Sequence, residues 1–130
     1  MKSSIQAKNT APSPKRKMSE MISEMAANFL WVDDTIDERQ RRLNAACSAW
    51  NMACGSPDVR RHQLERFRES YRRFNPAIPP TDLANIVKDM ETLIERKLKL
   101  FPDDQRQIVS AQVVKIGDTY SIEVASATLQ

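Results

Sequence analysis

Apolar residues recur every third or fourth position through most of this chain, and every second position near its C-terminus. The first rhythm lines one face of an α-helix, and the second lines one face of a β-strand. Met18, Met21, Ile22, Met25, Phe29 and Leu30 follow the helical spacing, with Ser19, Glu20, Ser23, Glu24 and Asn28 on the other side. This predicts a helix over about 19–32, with Ser19 as its cap and Glu20 and Glu24 near the positive end of its dipole.

Thr35 followed by Glu38 matches a capping box, in which each side chain satisfies a free amide of the first turn. Ile36, Leu43, Cys47, Trp50 and Cys54 then form the seam of a second helix, with Asp37–Arg41 and Glu38–Arg42 as favourable i,i+4 pairs. Gly55 can end it by adopting a positive φ. Ser56-Pro57-Asp58 opens a third helix: serine caps, proline takes the first helical position and aspartate meets the dipole. Leu64, Phe67, Tyr71 and Phe74 make its apolar stripe, which reads as a core face. Asn75-Pro76 ends it. Thr81 is the expected cap of a fourth helix, along which Leu83, Val87, Met90, Ile94, Leu98 and Phe101 keep helical spacing until Pro102.

The period then changes to two. "RQIVSAQVVKI" and "TYSIEVASATL" flank Gly117-Asp118, the pattern of a hairpin with a two-residue turn. In that register Val113 faces Ile122, Ala111 faces Val124 and Val109 faces Ser126, with Tyr120 on the same side. A two-stranded ribbon is marginal alone and must rest on the helices or gain a strand. Its edge is a place for strand addition, by a partner or by a second copy. The expected fold is mainly α: a compact four-helix domain followed by a C-terminal two-stranded antiparallel β-hairpin at about 106–129, an α+β chain without internal repeats.

Composition refines this picture. A chain of 130 residues suggests one domain. Residues 1–17 hold one isoleucine, no aromatic and no acid, so they read as a flexible basic arm before a single domain at 18–130, with Met18 a candidate internal start. No apolar run reaches the ~18 residues that span a bilayer, and no secretory signal is visible. On one helix, Cys47 and Cys54 lie ~10 Å apart along the axis, too far for a disulfide. A reducing, cytoplasmic setting follows.

The net charge is only +3, but it is unevenly spread. The arm is basic, and residues 60–73 hold six arginines against Glu65 and Glu69. On a helical wheel Arg61, Arg68 and Arg72 flank the apolar stripe as one ridge. Arg66 and Arg73 lie opposite the stripe, near His62 and Glu69, and Arg60 lies within the apolar sector. Guanidinium forks suit phosphate oxygens, which makes Lys15, Arg16, Lys17, Arg61, Arg68 and Arg72 the candidate nucleic-acid contacts. The competing reading is a solvated face with internal ion pairs such as Glu69–Arg73.

Other chemistry is thin. Asp33, Asp34, Asp37 and Glu38 cluster, but they lack the glycine and distal glutamate of a calcium loop and read as helix-opening acids. The chain has no C-x-x-C and one histidine, too few soft ligands for zinc, and no nucleophile is paired to His62. No catalytic residue, metal site or cofactor is assigned. Met18, Met21 and Met25, extended by Trp31, form an adaptable face that reads either as a core face or as a surface for partner docking. The expected function is that of a small intracellular accessory or adaptor subunit, non-catalytic and acting through protein–protein contacts in a larger assembly. The alternative is a nucleic-acid-associated protein that uses the arm and the ridge for sequence-independent phosphate contacts. Replacing Ser56 by alanine should cost about 1 kcal/mol of stability; an unchanged thermal melt would show that the third helix does not start there.

Overall fold

Helix α2 is the element against which most of the others pack. The computed structural model describes residues 16–31 and 35–128. Its elements are α1 (Met18–Leu30), α2 (Ile36–Ala53), α3 (Pro57–Phe74) and α4 (Pro80–Leu100), then strands β1 (Arg106–Ile116) and β2 (Thr119–Thr128). Four helices followed by an antiparallel hairpin is the arrangement that the periodicity predicts. One apolar cluster unites Met21, Ile22, Met25 and Leu30 of α1 with Leu43, Cys47 and Trp50 of α2, Met90, Leu93 and Ile94 of α4, and Ile108, Val113 and Ile122 of the hairpin. Ala46, Ala49 and Ala53 are also buried on α2, and their small side chains let its neighbours approach closely.

The helix starts show which local signals win. Thr35 Oγ1 accepts the Glu38 amide at 3.2 Å, and Ser56 Oγ accepts the Val59 amide at 3.3 Å with Pro57 beside it. Thr81 does not cap α4. That helix begins two residues earlier than such a cap implies, at Pro80 after Pro79, without a side-chain cap. Proline at the first helical position has its φ already set and no N–H to satisfy, so the cap is dispensable. Helix α1 starts at Met18 rather than after Ser19, and it kinks at Ala26, whose φ is −122°. Arg96 of α4 donates to the carbonyls of Met25 at 2.7 Å and Glu24 at 3.2 Å beside this kink. Gly55 does not adopt a positive φ; only Gly117 does, at 63° in the hairpin turn. Gly55 is needed for closeness, because a Cβ there would lie 3.0 Å from Val59 Cγ1.

The hairpin register matches expectation at Val113–Ile122 and Ala111–Val124, then departs from it. An irregularity between Ile108 and Ser110 pairs Ile108, not Val109, with Ser126. Val109 is expelled to solvent, and Ile108 takes the inward place. A bulge adds one residue to one strand and so resets its side-chain alternation. Here it turns both halves of β1 toward α2.

Helix α2 then completes the sheet edge as a strand would. Gln40 Nε2 donates to the Ala111 carbonyl at 3.1 Å, and Gln40 Oε1 accepts the Val113 amide at 2.8 Å. Asn51 Nδ2 donates to the Ile108 carbonyl at 3.0 Å, and Asn51 Oδ1 accepts the Ile108 amide at 2.8 Å. Trp50 Nε1 donates to the Arg106 carbonyl at 2.8 Å. A side-chain amide carries the same donor and acceptor as a peptide group, so it pairs with an open edge as backbone does. Gln40 and Asn51 are three helical turns apart and therefore share a face.

The root of the hairpin rests on a buried polar cluster. Lys97 of α4 is fully buried; its Nζ donates to the Asp104 carbonyl at 2.6 Å and lies 4.9 Å from the centre of the Trp50 ring. The Asp104 carboxylate accepts the Arg106 amide at 3.1 Å and pairs with the Arg106 guanidinium at 2.6 Å, with both side chains largely shielded. Replacing Asn51 by leucine keeps the size but leaves both Ile108 backbone groups unpaired. Urea unfolding should show a loss of about 2–3 kcal/mol at unchanged m-value, while the exposed Ser48→Ala should stay within about 0.5 kcal/mol of wild type.

Candidate docking surface

The arginine ridge is electrically closed on itself. Arg61 pairs with Asp58 at 2.7 Å, Arg68 with Glu69 at 3.1 Å and Glu65 at 3.5 Å, and Arg72 with Glu69 at 2.8 Å. Three guanidinium groups thus meet three carboxylates on one helix. Glu69 turns to Arg72 and Arg68 rather than to Arg73, and the Arg72 hydrogen bond and charge hold its carboxyl below the usual range. Arg16 lies against the body of the protein: it pairs with Glu24 at 3.0 Å, and its guanidinium sits 5.6 Å from the Phe101 ring centre. Lys17 is exposed and serves α1 through its carbonyl, which accepts the Glu20 and Met21 amides. Lys15 lies outside the described residues.

The methionine face is not a free surface. Met18, Met21 and Met25 are all buried in the core, because α1 turns this face toward α2, α4 and the hairpin. The adaptable side chains fill gaps between those elements, which corrects the expectation that they dock a partner. Trp31 alone of that set reaches solvent, at 37% exposure, with the Arg39 guanidinium 5.2 Å from its ring centre. The same guanidinium lies 4.4 Å from the Tyr120 ring centre, so Arg39 joins α2 to the hairpin.

The open apolar surface lies instead on α3. None of its 18 residues is buried. Leu64 and Phe67 pack part of their area on the core, and Phe67 meets Tyr71 with ring centres 5.9 Å apart. Phe74 is 77% exposed, which corrects the core reading at that end of the stripe, and Val59, outside the stripe, is 46% exposed. The helix meets the core through Leu64 and Phe67 and leaves its C-terminal end open. A groove of about 410 Å³ opens beside it, lined by Phe67 and Tyr71 of α3, by Phe29, Ala45, Ile86 and Met90, and by polar side chains that include Glu38, Arg41, Arg42 and Asp89. A second groove of about 550 Å³ separates α3 from α2 and includes Ser48, Met52, Arg66, Ser70 and Arg73. One sequence signal pointed this way: the stripe of α3 is a single narrow row among charged residues, too little to hold a helix on two neighbours.

The two thiols are shielded to different degrees. Both cysteines are free thiols. Burial pushes the Cys47 thiol up to about 12 and raises that of Cys54, which is close to the carbonyls of Asp104 and Arg106 at 3.7 Å each. Protonated thiols are poor nucleophiles and poor metal ligands. His62 is exposed, and among the described residues no group of three or more histidine, cysteine or acidic side chains is placed to hold a metal ion. No helix among them is long and apolar enough to cross a membrane. No protein-family model matches the chain, and no curated protein or solved structure gives a significant match.

The native state holds the Cys47 thiol neutral while the unfolded chain ionises it at an ordinary value near 9. The contribution to stability is therefore complete below that value and is lost as the pH rises toward about 12. A thiol reagent at pH 8 should label Cys47 at the rate of global unfolding; prompt labelling of the folded protein would show that the thiol is open to solvent.

Proposed function

We propose that this protein is a small non-catalytic accessory or adaptor subunit that binds a protein partner through the open side of α3. The observation that carries this reading is the aromatic stripe of α3, which runs from a groove over Phe67 and Tyr71 to the exposed ring of Phe74. An aromatic row rimmed by charge, on a helix with no buried residue, has the makeup of an interface core with a polar rim. Anchors of this kind supply most of the energy where a helix and a groove meet. Two free thiols suit a reducing, cytoplasmic setting.

The nucleic-acid alternative draws less support. Its ridge needs positive charge free to meet phosphates, whereas Arg61, Arg68 and Arg72 each already face a carboxylate. A phosphate contact at these three must displace an existing partner, although six arginines against three acids leave α3 basic as a whole.

The test is recovery of the tagged full chain from its native cell, with and without nuclease. A protein companion should survive nuclease, and Phe74→Asp should reduce its recovery about tenfold, the effect of losing one modest anchor. Phe74 is exposed, so the variant should keep its melting temperature. Equal recovery with Phe74→Asp would remove α3 from the interface, and recovery lost to nuclease would favour the alternative.

A further inference from the structure

The two edges of the hairpin differ. Ala111, Val113 and Ile108 turn backbone groups toward α2, where Gln40 and Asn51 satisfy them. In an antiparallel pair, opposite residues that do not bond each other turn their backbone groups in opposite directions. Their register partners Val124, Ile122 and Ser126 therefore present amides and carbonyls to the far edge of β2. Among the described residues, nothing bonds these groups there. The edge also lacks the usual blocking devices. Thr119–Thr128 contains no proline, lysine or arginine, a single acid at Glu123, and no bulge of its own.

We propose that β2 pairs edge to edge with β2 of a second copy of this chain, joining two hairpins into one four-stranded antiparallel sheet. Three features favour a second copy as the occupant. First, association closes after two chains: the α2 side chains already occupy the outer edge of β1, so the pair cannot grow into a filament. Second, a sheet of four strands gains the support that a two-stranded ribbon lacks. Third, the strand is complementary to itself about a two-fold axis. An axis on Glu123 would set two carboxylates face to face, which opposes pairing. An axis on Val124, whose backbone groups already face the edge, avoids this and pairs Ile122 through Ser126 with the same segment reversed. Val124 then meets its own copy on the helix-covered side, next to Ile122. On the exposed side Glu123 meets Ala125 of the other chain.

Ala125 is exposed and lies opposite Ser110 within its own hairpin, so it can be changed without disturbing the core. The purified full chain should sediment as a concentration-dependent dimer. Ala125→Glu places a second carboxylate against Glu123 twice per dimer and should raise the dissociation constant about tenfold, whereas Ala125→Lys should lower it several-fold. High salt should narrow the gap between the two variants. Without any mutation, the amides of Ile122, Val124 and Ser126 should gain protection from hydrogen exchange as concentration rises. A wild-type monomer throughout the concentration range would overturn the proposal, as would equal dimerisation of the two variants or edge amides whose exchange ignores concentration. Phe74→Asp should leave dimerisation unchanged, so failure here and failure of the adaptor reading are told apart.

Discussion

The structure depends on α2 standing in for a third strand. A two-stranded hairpin leaves one edge of each strand open, and a partly buried backbone group without a partner costs about 1–3 kcal/mol. Gln40 and Asn51 remove that cost along β1, and Trp50 extends the pairing to Arg106. Each amide meets both a donor and an acceptor, so the contact sets position as well as attraction. The bulge at Val109 is the geometric condition for this fit. Without it, one half of β1 would turn its backbone groups away from the helix. Two amides on a helix face and one extra residue in a strand thus decide how the sheet docks, and why only one edge stays available.

The cluster around Lys97 secures the other end of the same junction. Its amine is removed from water, but Asp104 supplies a carbonyl and Trp50 a ring face, so burial is compensated. Asp104 also holds the guanidinium and amide of Arg106, where β1 begins. These contacts fix α2, α4 and the strand root together. Helix α3 shares in none of them and buries no residue completely. Elements with few buried contacts occupy the low-stability end of a protein and are the usual source of surfaces that adapt to partners. The molecule therefore divides into a tightly joined scaffold and one helix held mainly through Leu64 and Phe67.

Charge follows the same division. The basic segment of α3 looks like a phosphate-seeking surface in sequence, yet its ridge guanidinium groups turn back to carboxylates one turn or one residue away. Such exposed pairs contribute little to stability. Their effect is to offset the charge of the ridge, while Arg60, Arg66 and Arg73 leave a basic surround to the apolar row of this helix.

Periodicity alone was enough to place four helices and a hairpin, because burying one face demands a repeat of 3.6 or of 2 whatever the partner. The caps at Thr35 and Ser56 were legible for a similar reason: cap and amide lie three residues apart in the chain. What a face is buried against is not a local property. The methionines of α1 and the aromatics of α3 show the same amphipathic pattern, yet tertiary packing covers the first and leaves the second open. Gln40, Asn51, Lys97 and Asp104 read as solvent-facing polar residues until a distant strand or helix end arrives beside them. Sequence determined the elements because their causes lie within a few residues. Only the tertiary structure decided the surfaces, because exposure depends on elements brought together from distant parts of the chain.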